Sequence, residues 1–179
     1  MGLGAKRTRV FIFCTKIRLL ADWHSDATQI LYICKKQKII QFNNIPDILN
    51  PIEVKQSLKS FVKSFGFSID KLSFNFISKD DLLKMNQKYL NHETHTDIIS
   101  FDYSQDKSLR AEFFISMWAI SVSAQEEGQT TENETLRVIS HGVLHCIGLN
   151  DKTVEEKAEM RKQENHFIDL FHVKHKSHV

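Results

Sequence analysis

The residues best equipped for chemistry lie in one short run, His141-Gly-Val-Leu-His145-Cys-Ile-Gly148-Leu-Asn-Asp151. Two histidines four apart on a helix project their imidazoles from the same face, one turn apart, which suits a single tetrahedral metal ion. A glycine at 148 can take the left-handed conformation that ends the helix and reverses the chain, so Asp151 can swing back as a third, oxygen ligand. Three protein ligands leave a fourth position for water, the feature that separates a catalytic zinc site from a structural one. A histidine pair alone is often only half-exposed surface; the helix-ending glycine and the following carboxylate are what raise it to a candidate site. Zinc-protease helices carry a glutamate directly after the first histidine as general base, and Gly142 stands there, which disfavours peptide hydrolysis by that route.

Other polar groups cluster around this run. Arg137 precedes His141 by one turn and shares its face, so its fork of donors could hold a phosphate oxygen, or it could simply pair with Glu134. Cys146 points about 100° away from His145 and reads as core. His92 and His95 fall in a polar loop within possible reach of the site. His172, His175 and His178 read as a solvated tail able to scavenge metal.

Several elements must position these residues. Ile39-Ile-Gln-Phe42 reads as a strand. Asn50-Pro51 is an N-cap followed by a first-turn proline, opening an amphipathic helix of Val54, Leu58, Phe61, Val62 and Phe65. Leu72, Phe74 and Phe76 alternate with polar neighbours, giving a half-buried strand over 71–77. Ser78 and Asp81 resemble a capping box that starts a short helix through Tyr89. Asp97–Tyr103 and Ala111–Ser116 form an expected antiparallel hairpin. A helix over 117–127 follows, interrupted by Gly128. Thr131 with Glu134 is expected to cap the helix bearing both histidines, and Thr153 with Glu156 the last helix, running to about Phe171. This order predicts an α+β domain: a small mixed β-sheet of about four strands packed with about five helices, the metal site lying on a helix of the C-terminal half.

Composition sets outer bounds. The chain has 179 residues, 41% apolar and 26% charged, enough for one ordinary domain with a core. No apolar run reaches the roughly 18–20 residues needed to span a bilayer, so no membrane association is expected. Three cysteines are too few and irregular for a disulfide framework, which suits a reducing compartment. Residues 1–38 hold eight Lys/Arg against two Asp, whereas residues 39–179 hold 16 against 20 Asp/Glu. The mildly acidic body gives no support to a generally nucleic-acid-binding surface, and RNA would need a local basic patch. Phe11-Ile-Phe13 and Ile30–Ile33 are candidate short strands, but residues 1–38 as a whole read as an N-terminal extension, expected to be poorly ordered, upstream of a domain spanning 39–179. Cys14, His24 and Cys34 within it read as incidental.

Two separated stretches carry a family resemblance. Met85-Asn-Gln-Lys-Tyr89 followed by Thr96-Asp97-Ile-Ile-Ser100-Phe101, with His141-Gly-x-Leu-His145-x-x-Gly148 downstream, resembles the YbeY family of metal-dependent endoribonucleases, over roughly residues 39–172. The resemblance implies one zinc ion per chain and single-stranded RNA as substrate, notably the 3′ end of small-subunit rRNA. It also implies the ribosome as partner, no DNA, and a cytoplasmic location. It puts Thr96, Asp97 and Ser100 at the floor of the cleft. Two departures matter. The family usually has a third histidine where this chain has Asp151, and an anionic ligand lowers the site's net charge and acidifies bound water less, with a drift towards harder ions such as Mn²⁺. The arginine usual after the Tyr89 position is Leu90 here, which leaves Arg137 as the nearest candidate for a phosphate contact. On this expectation the ion polarises a phosphate oxygen or activates water, while Arg137 offsets charge developing at phosphorus. The competing readings are a small metallohydrolase of another class, and a non-catalytic ribosome-associated RNA-binding domain with a structural metal.

Overall fold

The computed structural model describes residues 10–13, 39–90 and 93–175. Five strands form one mixed sheet in the order β1-β4-β5-β3-β2. Strand β2 (Ile39–Asn43), helix α1 (Pro51–Ser64) and strand β3 (Ser68–Ile77) make a parallel crossover unit, and helix α2 (Lys79–Leu90) leads to the hairpin. Strands β4 (Ile98–Asp102) and β5 (Ser108–Ser116) pair antiparallel, as their alternation predicts, while β5 also runs parallel beside β3. Helices α3 (Met117–Glu126), α4 (Thr131–Ile147) and α5 (Val154–His175) complete the chain. The α+β class and the four strands expected between residues 39 and 116 are present, and the candidate strand around Phe11 adds a fifth. This strand, β1 (Val10–Phe13), lies parallel to β4 at the sheet edge. The rest of the N-terminal stretch, with Cys14, His24, Cys34 and the candidate strand at 30–33, lies outside the described residues.

The sheet is held from within by an aromatic row. Register places Phe42 beside Phe74 and Phe74 beside Phe113, and their rings stack at 5.1 and 4.6 Å between centroids. Such pairs contribute about 0.5–1.5 kcal/mol each beyond the area they bury. On this face lie α1, α4 and α5. Phe61 of α1 meets Phe167 of α5 edge-on at 5.1 Å, and both rings are fully buried. The opposite face carries Phe101 and Phe114, covered by Tyr89 of α2.

Local signals set the helix starts. Asn50 accepts from the Ile52 amide ahead of Pro51, and Ser78 with Asp81 closes the predicted box. At α5 the Thr153 hydroxyl accepts from the Glu156 amide while the Glu156 carboxylate takes the amides of Thr153 and Lys152. Those two amides, Thr153 first, hold the Glu156 carboxyl below its usual range. At α4 the cap differs from the expectation. Thr130, not Thr131, accepts from the Asn133 amide. Glu134 cannot reach back because its carboxylate is buried against Arg137.

Helix α4 meets the sheet at Gly142. A Cβ on that residue would lie 2.9 Å from Ile98 Cδ1 and from two ring carbons of Phe113. The position taken by a general base in zinc proteases is therefore packed directly against the sheet, and an added side chain would force Ile98 or Phe113 to shift. Gly142→Ala is expected to destabilise the fold by about 1–3 kcal/mol, the usual cost of overpacking a core. Equilibrium denaturation measures this directly, and an unchanged midpoint would show that the sheet yields.

Candidate metal centre

Helix α4 is buried from Glu134 through His145, so its two histidines are held in a nearly water-free environment. Beyond Ile147 the chain reverses as expected. Gly148 sits at φ 110°, its amide reaches the His145 and Leu144 carbonyls, and the Leu149 amide reaches the Leu144 carbonyl. This pair of bonds is the Schellman closure, open to glycine because its φ is positive. It returns the chain so that Asp151 faces the histidines.

The three groups converge. His141 Nε2 and His145 Nε2 are 3.1 Å apart, and each lies 3.9 Å from Asp151 Oδ2. A triangle with those sides has a point about 2.1 Å from every corner, inside the roughly 2.0–2.2 Å of imidazole and carboxylate bonds to an ion such as zinc. Among the described residues this is the one group of three His, Cys, Asp or Glu side chains so placed. The protonation pattern agrees. His141 Nδ1 is 2.7 Å from Glu164 Oε1, both buried. With the proton on Nδ1 donated to that carboxylate, Nε2 presents a lone pair. His145 Nε2, at 3.1 Å, can either donate to that lone pair or, as the other tautomer, present a second one beside it to a cation. Asp151, about a third exposed, forms the open side of the site.

Glu164 is the residue that sequence reasoning missed. It occupies the apolar stripe of α5, between Met160 and the Phe167, Ile168 and Phe171 cluster, and is 2% exposed. An acid at a core position of an amphipathic helix is a signal that a buried partner awaits it.

Arg137 is the residue expected to contact phosphate. Its guanidinium is buried rather than presented to the opening: Nη1 bonds Glu164 Oε2 at 3.2 Å and Asn165 Oδ1 at 2.9 Å. Nε lies 3.3 Å from Glu134 Oε2, an ion pair off the hydrogen-bonding line. A phosphate would have to displace those carboxylates. The pairing with Glu134, the other reading the sequence allowed, is the one present.

The remaining candidates are dispersed. Cys146 packs against the core and its thiol pKa is pushed up by burial and then by nearby Asp102, so the thiolate form that binds metal is disfavoured. His95 stands 5.0 Å from the Trp118 ring, outside the metal group. His172 bonds Asn133 Oδ1 at 2.8 Å, pinning the end of α5 to the start of α4. His92, the side chains of Leu90 and His175, and His178 lie outside the described residues. Thr96, Asp97 and Ser100 are buried at the start of β4, where the Asp97 carbonyl accepts from the Ser116 amide.

A mixed sheet carrying a buried helical His pair and a carboxylate beyond the turn brings together three groups that could hold one metal ion. The family model for Endoribonuclease YbeY matches residues 32–172. Endoribonuclease YbeY of Bacteroides thetaiotaomicron is 37% identical over 121 residues, covering 68% of this chain and 88% of that protein. Its namesake from Cytophaga hutchinsonii is 38% identical over 119 residues, 66% and 83% of the two chains. The solution structure of a Thermotoga maritima protein superposes with a TM-score of 0.58 at 21% identity, over 78% of this chain and 93% of that one, a likeness of fold. The chain belongs to the YbeY endoribonuclease family.

Glu164→Gln, which keeps the shape but not the charge behind His141, is expected to weaken divalent-metal affinity roughly 10–100-fold. Competition against a chromogenic chelator measures it; wild-type affinity would show that the carboxylate does not orient the ligand.

Proposed function

We propose that this protein is a zinc-dependent endoribonuclease that cuts single-stranded RNA and acts in maturation of the small-subunit rRNA 3′ end, in ribosome quality control and in association with the ribosome in the cytoplasm. The observation that carries the reading is the convergence of His141, His145 and Asp151 on one point, with Glu164 fixing the tautomer of His141. The relatives are endoribonucleases, which supplies the reaction class. Among the described residues no helix is long and apolar enough to cross a membrane.

In this reading His141, His145 and Asp151 hold the ion, and Glu164 keeps the His141 lone pair aimed at it. When bound, the ion supplies Lewis acidity towards a phosphate oxygen or a water molecule. Gly142 offers no general base. Asp151, the exposed member, sets how open the ion is to RNA.

His145→Ala is expected to lose bound zinc, measured by elemental analysis, together with cleavage of a single-stranded RNA oligonucleotide. Cleavage surviving in the metal-stripped variant would discard the mechanism. Wild-type protein that binds RNA and is stabilised by zinc, yet never cuts, would favour the RNA-binding module with a structural ion.

A further inference from the structure

Three buried polar groups, Glu134, Arg137 and Glu164, join α4 to α5 behind the histidines, and a simple ion pair between helices would not need so many. The Glu164 carboxylate uses both oxygens: Oε1 faces His141 Nδ1 at 2.7 Å and Oε2 faces Arg137 Nη1 at 3.2 Å. The same Nη1 reaches Asn165, one residue further along α5, and the Nε edge faces Glu134, one turn back on α4. Arg161 also approaches Glu164 Oε2, at 3.7 Å, but its side chain is half exposed and screened. Arg137 is thus the one buried cation among these groups, set between two buried carboxylates.

We propose that Arg137 is a positioning residue for the metal centre: by holding Glu164 at both its angle and its depth, it aims the His141 imidazole. The inference rests on the metal-site reading above. A carboxylate accepting from a histidine through one oxygen can still swing about that bond. Fixing its second oxygen fixes its plane, and the imidazole bonded to it inherits the orientation. A guanidinium does this because its donors are set in a rigid fork that grips Glu164 and Asn165 while a separate edge meets Glu134. An ammonium is a point charge and cannot hold three partners in fixed directions. Charge argues the same way. Without Arg137, Glu134 and Glu164 would be two buried carboxylates with no buried cation between them, and Glu164 would be driven to turn away. That movement withdraws the acceptor that His141 needs.

The test is a double-mutant cycle on the full chain, read as the zinc dissociation constant by chelator competition, with the melting temperature of the metal-free protein measured beside it. Arg137→Met and Glu164→Gln are each expected to weaken zinc binding roughly 10–100-fold. The double variant is expected to be no weaker than either, because both substitutions remove the same orientation. Arg137→Lys should fall between wild type and Arg137→Met, and the KM for RNA at saturating zinc should stay at the wild-type value. Wild-type zinc affinity in a folded Arg137→Met protein, or losses that add in the double variant, overturns the proposal. So does a raised KM at saturating zinc, which would return Arg137 to a phosphate contact. If Arg137→Met does not fold, the same cycle with Arg137→Lys decides by the same criteria. A wild-type chain that binds no zinc overturns both this inference and the function proposed above. Zinc-dependent cleavage with unaltered affinity in the Arg137 variants overturns this inference alone.

Discussion

A helix buried on every side must satisfy its polar side chains without water, and α4 is buried from Glu134 to His145. An unpaired buried polar group costs several kcal/mol and a buried charge more, so Glu134, Arg137, His141 and His145 need partners of complementary character. Helix α5 supplies them through Glu164 and Asn165, and the loop beyond Gly148 supplies Asp151. The fold and the site therefore depend on the same contacts. Docking α5 completes the polar set of α4 and leaves the Nε2 atoms of its two histidines facing Asp151.

The neighbouring constraint is steric. Gly142 lets α4 rest against Ile98 and Phe113 at a separation that a methyl group would exceed. Phe113 in turn belongs to the stacked row that joins β2, β3 and β5. The height of the histidines above the sheet is thus set by a glycine between them and by the rigidity of an aromatic ladder beneath. The same contact accounts for the missing glutamate of the protease pattern, because a carboxylate at 142 would be driven into the phenylalanine.

Much of this was legible in the residues. Alternation in 71–77, the Asn50-Pro51 start and the Thr153–Glu156 box each act over a few neighbours, and local signals of that kind survive folding. The His-His-Gly-Asp spacing was legible for the same reason, since a helical turn and one reversal fix the relation of its parts. What sequence order does not carry is pairing at a distance. The parallel contact of β3 with β5 and the reach of Glu164 to His141 join residues far apart in the chain. Spacing puts Arg137 on the histidine face without saying that Glu134, Glu164 and Asn165 meet its guanidinium. Thr130 replaced Thr131 as cap because Glu134 was drawn inward by Arg137, a tertiary demand that overrode a local one.

Charge gives the aspartate at 151 a meaning beyond substitution. Behind the ligands, Glu134 and Glu164 face Arg137, an excess of one negative charge in a buried region. A divalent cation held by two neutral imidazoles and one carboxylate carries a net +1, which balances that excess. With a neutral third ligand the same centre would be left one unit positive. The anionic ligand thus favours retention of the cation and disfavours strong acidification of whatever occupies its open position. Asp151 is the most exposed of the three, so part of its charge is screened by water, and with a divalent ion in place the centre as a whole would be close to neutral. The body of the chain is mildly acidic, so its overall charge does not draw a polyanion to the site. The charge balance that would favour a divalent ion is instead local, built into the buried contact of α4 with α5.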